Sequence, residues 1–251
     1  MMARVFLLSP FLGGWHKWAG RGGLLVVLAL LQACAAVPYP DRRDPIESFN
    51  RRVFDFNYAV DRAVIKPVAT VYRDTTPSWM RTGVGNFFNN LEDVWSVVNN
   101  ALQGRLQNTG DSVGRVVINS TIGMVGLMDV ASGLNIDRHT TDFGTTLGRW
   151  GVSPGPYVVL PFLGSYTLRE VAALPIDRQG DLVNHVSDEA TRTALFLVDT
   201  VSVRAALLGP GEVAEAAALD KYSFKRETYF QMQRNRQYDG NPPDEDLAPE
   251  P

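Results

Sequence analysis

From Arg149 to Glu170 the chain reads RWGVSPGPYVVLPFLGSYTLRE, and the nineteen residues between Arg149 and Arg169 carry no charge. By length alone such a stretch matches the roughly 20 residues a helix needs to cross a bilayer. Pro154, Pro156 and Pro161, together with Gly151, Gly155 and Gly164, forbid that helix. Each proline removes a backbone donor and clashes with the turn before it. Irregular backbone at membrane depth is tolerated only where protein buries it or it lines a watery cavity. We therefore expect Trp150–Leu168 to be a loop or hairpin packed on helices at leaflet level, with one strand near Tyr157–Pro161 and almost none elsewhere.

The N-terminal residues indicate where such a chain works. Residues 1–23 carry Arg4, Lys17 and Arg21 and no acid, and the eight-residue apolar run Leu24–Leu31 and then QAC follow. A basic start, a short apolar core and a small-residue exit describe a secretory signal peptide, and the run is too short to span. Leu31–Cys34, LQAC, resembles a bacterial lipobox. Cys34 is the one cysteine in the chain and has no partner for an internal disulfide. We expect it to carry covalent acyl and diacylglycerol lipid, each buried CH₂ adding roughly 0.8 kcal/mol of anchoring. Ala35 follows it where inner-membrane retention favours Asp, which implies the outer membrane of a Gram-negative bacterium, periplasmic face. The expected division is signal peptide 1–33, linker 34–43, helical domain 44–238, and an acidic, proline-rich, disordered tail 239–251.

Removing residues 1–33 lowers the 24 basic residues to 21 against 27 acidic ones, and no basic block remains of the kind nucleic acid requires. Hydrophobic periodicity then marks the helices. Asp44–Pro45 suits a helix start. Ile46, Phe49, Val53, Phe56, Val60 and Val64 share one face and Phe54, Tyr58 and Ile65 another, so this helix touches two environments. Pro67 should end it. A second helical region opens at Pro77, with Asn90 and Asp93 read as a cap dividing it. Val116–Met128 is uncharged for thirteen residues; as helix it would cover about 20 Å, roughly one leaflet. Further helices are expected from Arg178 to Val186, after Ser187 or Asp188 up to Gly209–Pro210–Gly211, and through the last stretch with a break near Asp220.

Catalytic machinery is thin. Beyond residue 33 the only histidines are His139 and His185, no cluster has metal-ligand spacing, and no phosphate loop follows a strand. GDSVG at Gly110–Gly114 matches the nucleophile elbow, with Ser112 as nucleophile and Asp177 or Asp181 and then His185 in the order of an esterase. That motif needs a buried strand before the serine, where GRLQNT stands; Thr109 reads instead as the cap of a helix. No catalytic residue, metal or cofactor beyond the lipid on Cys34 is expected.

Phe143–Glu170, with the pattern G-V-x-x-G-P-Y-x-x-L-P-x-x-G-x-x-T-x-R from Gly151 to Arg169, resembles the MlaA (VacJ) lipoprotein family. DPIESFNRRVFDFN near residue 44, VINSTIGMVGLMDVA in the middle and LDKYSFKRETYFQ near the end fit the same family, so the resemblance runs from about Asp44 to Arg236. It implies an all-α, ring-like bundle of short amphipathic helices with an irregular Gly/Pro-rich loop or hairpin, embedded in one membrane leaflet. The implied function is removal of mislocalised phospholipids from the outer leaflet of the outer membrane, without enzymatic chemistry, to maintain lipid asymmetry. Implied partners are phospholipids, an outer-membrane porin trimer and a soluble periplasmic lipid carrier. Phe49, Asn50 and Arg51 match the family's opening motif and are candidates for setting the gate or its stability, Phe49 equally for core packing. Gly155, Pro156, Tyr157 and Pro161 match the central motif as backbone-shaping residues. Arg149 and Arg169 are candidates for attracting a lipid phosphate, or are ordinary solvated charges. The alternative function is an adaptor that tethers periplasmic partners, which predicts single-striped helices around a closed core.

Overall fold

A computed structural model describes residues 41–243; Cys34, the signal peptide and residues 244–251 lie outside them. The first helix, α1, spans Glu47–Val60. Asp44 does not cap it, because its carboxylate is fully buried and turned inward. Nor does Pro67 end it: a π turn, Asp61–Ile65, leads directly into α2, Lys66–Thr75. The Lys66 N–H reaches back to the Asp61 carbonyl, widening the helix just where the proline ring would meet the preceding turn.

After Pro77, α3 runs unbroken over Ser78–Leu102. Asn90 and Asp93 therefore cap nothing; both are buried on its inner face. The most extensive helix pairing is between α3 and α4, Leu106–Thr121. The uncharged Val116–Met128 is helical only as far as Thr121, after which the chain turns through left-handed Met124, Val125 and Gly126. Short α5, Val130–Gly133, and α6, Phe143–Arg149, follow, capped by the side chains of Asp129 and Asp142.

The proline-rich segment is a hairpin. Strand β1, Tyr157–Leu160, pairs antiparallel with β2, Gly164–Thr167, in the register Tyr157 to Thr167 and Leu160 to Gly164. Helix α7, Leu168–Gly180, begins at once, with Thr167 and Glu170 forming a reciprocal capping box. It ends where a helix was expected to begin, and only a 3₁₀ turn, Leu182–His185, follows before Asp188 caps α8, Glu189–Ala206. Gly209–Pro210–Gly211 is not a stop. It forms the first turn of α9, Leu208–Ala217, where a missing N–H is harmless, and the break falls at Leu207. Asp220 caps the last helix, α10, Lys221–Gln237, so the expected break there is real. Asp239, read as the start of the tail, accepts a bond from Asn108 Nδ2 at 2.8 Å.

Two small apolar cores hold these elements. Val53, Tyr157, Val159 and Tyr222 join α1, β1 and α10 beneath the hairpin. Ala69, Ala205 and Leu208 join α2, α8 and α9.

Candidate functional site

Polarity runs in reverse across this fold. Among the described residues nine hydrophobic side chains are buried, against twenty-one polar or charged ones, so apolar packing is not the main occupant of the interior. Along α3 alone Asn90, Asp93, Ser96, Asn99 and Asn100 are buried, and so is Gln103 just past its end. Buried polar groups persist only when hydrogen-bonded, and most of these are. Gln103 Nε2 donates to the hydroxyls of Thr141 and Thr146 at 2.8 and 2.9 Å, and the Thr146 hydroxyl donates to Asn99 Oδ1 at 2.8 Å. Asn100 Nδ2 donates to the His139 carbonyl at 3.0 Å.

The outside is correspondingly apolar. Trp79, Leu106, Phe162 and Val213 are each more than 70 % exposed, and Ile122, Met124, Val125 and Met128 crowd the turn after α4. Leaving such surface in water costs roughly 25 cal/mol per Å² relative to covering it. Yet no single helix among the described residues is long and apolar enough to cross a membrane; only α8 with α9 passes that test, and the pair is bent by 55°. An apolar exterior without a spanning helix suits a body lying within a leaflet.

The hairpin is docked on this body by side chains, not by a third strand. Asn50, fully buried on α1, accepts from the Val159 N–H at 2.9 Å and donates to the Tyr157 carbonyl at 2.9 Å and to Asp44 Oδ1 at 2.7 Å. Two turns further on the same helix, Asn57 donates to the Leu160 carbonyl and accepts from the Phe162 N–H, at 2.9 and 2.8 Å. Two asparagines seven residues apart thus satisfy the free edge of β1 as a neighbouring strand would. On the other side the Glu170 carboxylate receives the Thr167 N–H at 2.7 Å, the Tyr229 hydroxyl and the Gln233 amide. Burial pushes the Glu170 carboxyl above the usual carboxylate range. A cavity of about 380 Å³, bounded by Tyr166, Glu170, Asp177 and Lys225, lies between β2, α7 and α10.

The other expected residues divide by role. Phe49 packs half-buried against the core under the hairpin. Arg51 bonds Glu47 and Asp220, at 2.8 and 2.7 Å, and lies over the Tyr222 ring; its contact holds the Asp220 carboxyl down at about 2. Tyr157 is fully buried, with its hydroxyl 2.8 Å from that of Ser165. The Pro156 carbonyl accepts the Leu168 N–H at 2.9 Å, and Pro161 starts the exposed hairpin tip. Arg169 is not available to a lipid phosphate. It is 7 % exposed, with its guanidinium pressed against Gly148 and donating to the Val152 carbonyl at 2.8 Å. Arg149 is exposed. Gly155 has φ of +69°, and a Cβ there would stand 3.2 Å from that of Leu168. Gly155→Ala should lower stability by about 2 kcal/mol; a thermal midpoint equal to that of the parent chain would contradict this.

Ser112 is no nucleophile elbow. It lies inside α4, 2 % exposed, and accepts a bond from Asn100 Nδ2 at 3.3 Å. Asp177 instead accepts from the Trp95 indole at 2.8 Å, and His185 is exposed with its Nδ1 beside the Asp181 carbonyl. No group of His, Cys, Asp and Glu among the described residues could hold a metal. Sequence reading missed Asn57 and Glu170. The seven-residue spacing that puts Asn57 on the same face of α1 as Asn50 was the signal for the first.

The sequence profile of the MlaA lipoprotein family matches residues 42–236. Intermembrane phospholipid transport system lipoproteins MlaA of Shigella flexneri and Escherichia coli K12 are each 36 % identical over 208 residues, covering 80 % of this chain and 82 % of theirs. An uncharacterised Rickettsia prowazekii protein is 45 % identical over 130 residues, about half of either chain. A solved structure reported as the structural basis for maintenance of bacterial outer membrane lipid asymmetry superposes with a TM-score of 0.69 at 35 % identity, over 80 % of this chain and all of that one.

Proposed function

This chain belongs to the MlaA lipoprotein family, and from that premise we propose that it handles phospholipid within an intermembrane transport system that maintains outer-membrane lipid asymmetry. It sits within the inner leaflet of the outer membrane, anchored by lipid on Cys34, beside a porin trimer. It takes phospholipid that has strayed to the outer leaflet and gives it to a soluble carrier in the periplasm.

The observation that carries this reading is the reversed polarity. A ring whose outside meets acyl chains has no use for a polar surface, and a passage for head groups has no use for an apolar lining. Among the described residues, twenty-one buried polar side chains against nine hydrophobic ones fit that requirement. A tethering adaptor with a closed core would bury the opposite set.

The lipoprotein purified in mild detergent should bring intact phospholipid with it, and Ser112→Ala should bring the same. Lysophospholipid and free fatty acid from the parent chain but not from the variant would overturn the reading in favour of a lipase. Absence of lipid from both would favour the adaptor.

A further inference from the structure

A second cavity, of about 470 Å³, lies between α2, the first half of α3, and α8. Charges of both signs line it, Arg81 from α3 and Asp199 from α8. Neither side chain has an ion-pair or hydrogen-bond partner among the described residues. Arg81 Nε and the hydroxyl of Tyr72, both shut off from solvent at the same cavity, are left without a bond. A buried donor left unsatisfied costs about 1–3 kcal/mol, so such groups call for a ligand or another local explanation. An arginine and an aspartate facing one space without closing on each other present two opposite charges held apart.

That arrangement complements a zwitterion. A guanidinium matches the oxygens of a phosphodiester in two-point geometry. A carboxylate accepts the three donors of a primary ammonium. Burial first, and then the nearby carboxylates of Glu92 and Asp181, push the Asp199 carboxyl above its usual range, and an ammonium beside it would relieve that. Gly85 supplies the width: it lines the cavity from the interior of α3, and a Cβ added there would meet nothing within 4 Å. Glycine inside a helix costs about 1 kcal/mol relative to alanine, which sets the open space against local stability. Val203 on the lining, and Trp79 and Met80 between the lining residues Ser78 and Arg81, are exposed and offer apolar surface next to the polar pocket.

Resting on the lipid-handling reading above, we infer that this cavity receives the head group of a phospholipid bearing a primary amine, Arg81 taking the phosphodiester and Asp199 the ammonium. The chemistry is that of an ethanolamine phosphodiester, which also occurs free of acyl chains. The exposed apolar surface beside the pocket favours the lipid form.

The lipidated chain in detergent is titrated with phosphatidylethanolamine, phosphatidylglycerol or water-soluble glycerophosphoethanolamine, and occupancy is read by native mass spectrometry. The parent chain should prefer phosphatidylethanolamine over phosphatidylglycerol by about tenfold, and Asp199→Asn should erase that preference while leaving phosphatidylglycerol unchanged. Arg81→Gln should weaken both lipids by about tenfold. Gly85→Leu should block both while raising the thermal midpoint, because leucine is the better helix former. If Asp199→Asn and Gly85→Leu bind phosphatidylethanolamine as the parent does, the head group sits elsewhere and only this assignment falls. If the soluble diester binds as tightly as the lipid, the lipid assignment is overturned. If the parent chain binds no phospholipid, the transport reading falls and this site with it.

Discussion

Replacing Asn50 by leucine should lower the stability of the purified lipoprotein by about 4 kcal/mol, although the two side chains share the same branched skeleton of heavy atoms. The loss is electrostatic. Asn50 is fully buried and bonds Asp44 Oδ1, the Tyr157 carbonyl and the Val159 N–H. Leucine leaves two backbone groups of β1 buried and unsatisfied, at about 1–3 kcal/mol each, and takes one donor from a buried carboxylate. Asn50→Asp is the discriminating control. It keeps the acceptor for Val159 but turns a second carboxylate toward Asp44 and offers Tyr157 no donor, so its loss should match or exceed that of leucine. Asn57→Leu, at a half-buried position nearer the tip, should cost about half as much. Urea unfolding in mild detergent gives the magnitudes, and amide exchange at Val159 gives the place. A loss below about 1 kcal/mol for Asn50→Leu would mean that the hairpin is held by its apolar contacts alone.

How much of this was legible in the sequence depends on which assumption each reading used. The prolines and glycines of the uncharged segment announced a hairpin and its first strand, because they act through backbone geometry and need no knowledge of surroundings. Asp188, one of two caps offered, and the break expected near Asp220 both fall at helix starts. Readings that assumed polar residues face water failed together. Asn90 and Asp93 were expected to cap a helix end, and Asp44 another, yet all three point inward. The period was in the sequence: Asn90, Asp93, Ser96 and Asn100 recur every three or four residues on α3 and Gln103 continues the row at its C-cap, an amphipathic face whose polar side is the buried one. Arg169 misled likewise, since nothing in the sequence says that Gly148 leaves a slot for its guanidinium. Pro67 and Pro210 were expected to end helices; a π turn and a first-turn position, both set by tertiary packing, make room for them. In the site, Asn50 and Tyr157 were found through the motifs that hold them, whereas Glu170 offered only its capping-box spacing from Thr167, because its partners Tyr229 and Gln233 lie some sixty residues away.

A polar interior has its own point of greatest vulnerability, and it should be Arg115. This side chain is 2 % exposed on α4 and spends all its donors. Nε meets Asp93 Oδ2 at 3.3 Å, Nη2 meets Asp129 at 2.9 Å, and Nη1 donates to Ser132 Oγ and the Ile136 carbonyl at 3.0 and 2.8 Å. One guanidinium therefore ties α4 to α3 and to the turn that ends in α5. Arg115→Met keeps the apolar stem and removes the charge, leaving buried Asp93 to Arg138 alone, 2.7 Å away, and Asp129 to neutral donors. Breaking a buried pair from one side costs about 3–5 kcal/mol, and Arg115→Met should fall in that range. Arg115→Lys should recover little, because a single ammonium cannot reproduce a fork that reaches three elements. Adding Asp129→Asn to Arg115→Met removes the stranded charge, so the double variant should be more stable than the sum of the two single losses by about 1–3 kcal/mol. Additive losses in that cycle would show that the two side chains do not act as a pair. An unchanged unfolding midpoint for Arg115→Met would show that water already satisfies the interior, and that the helical body is held by its few apolar contacts instead.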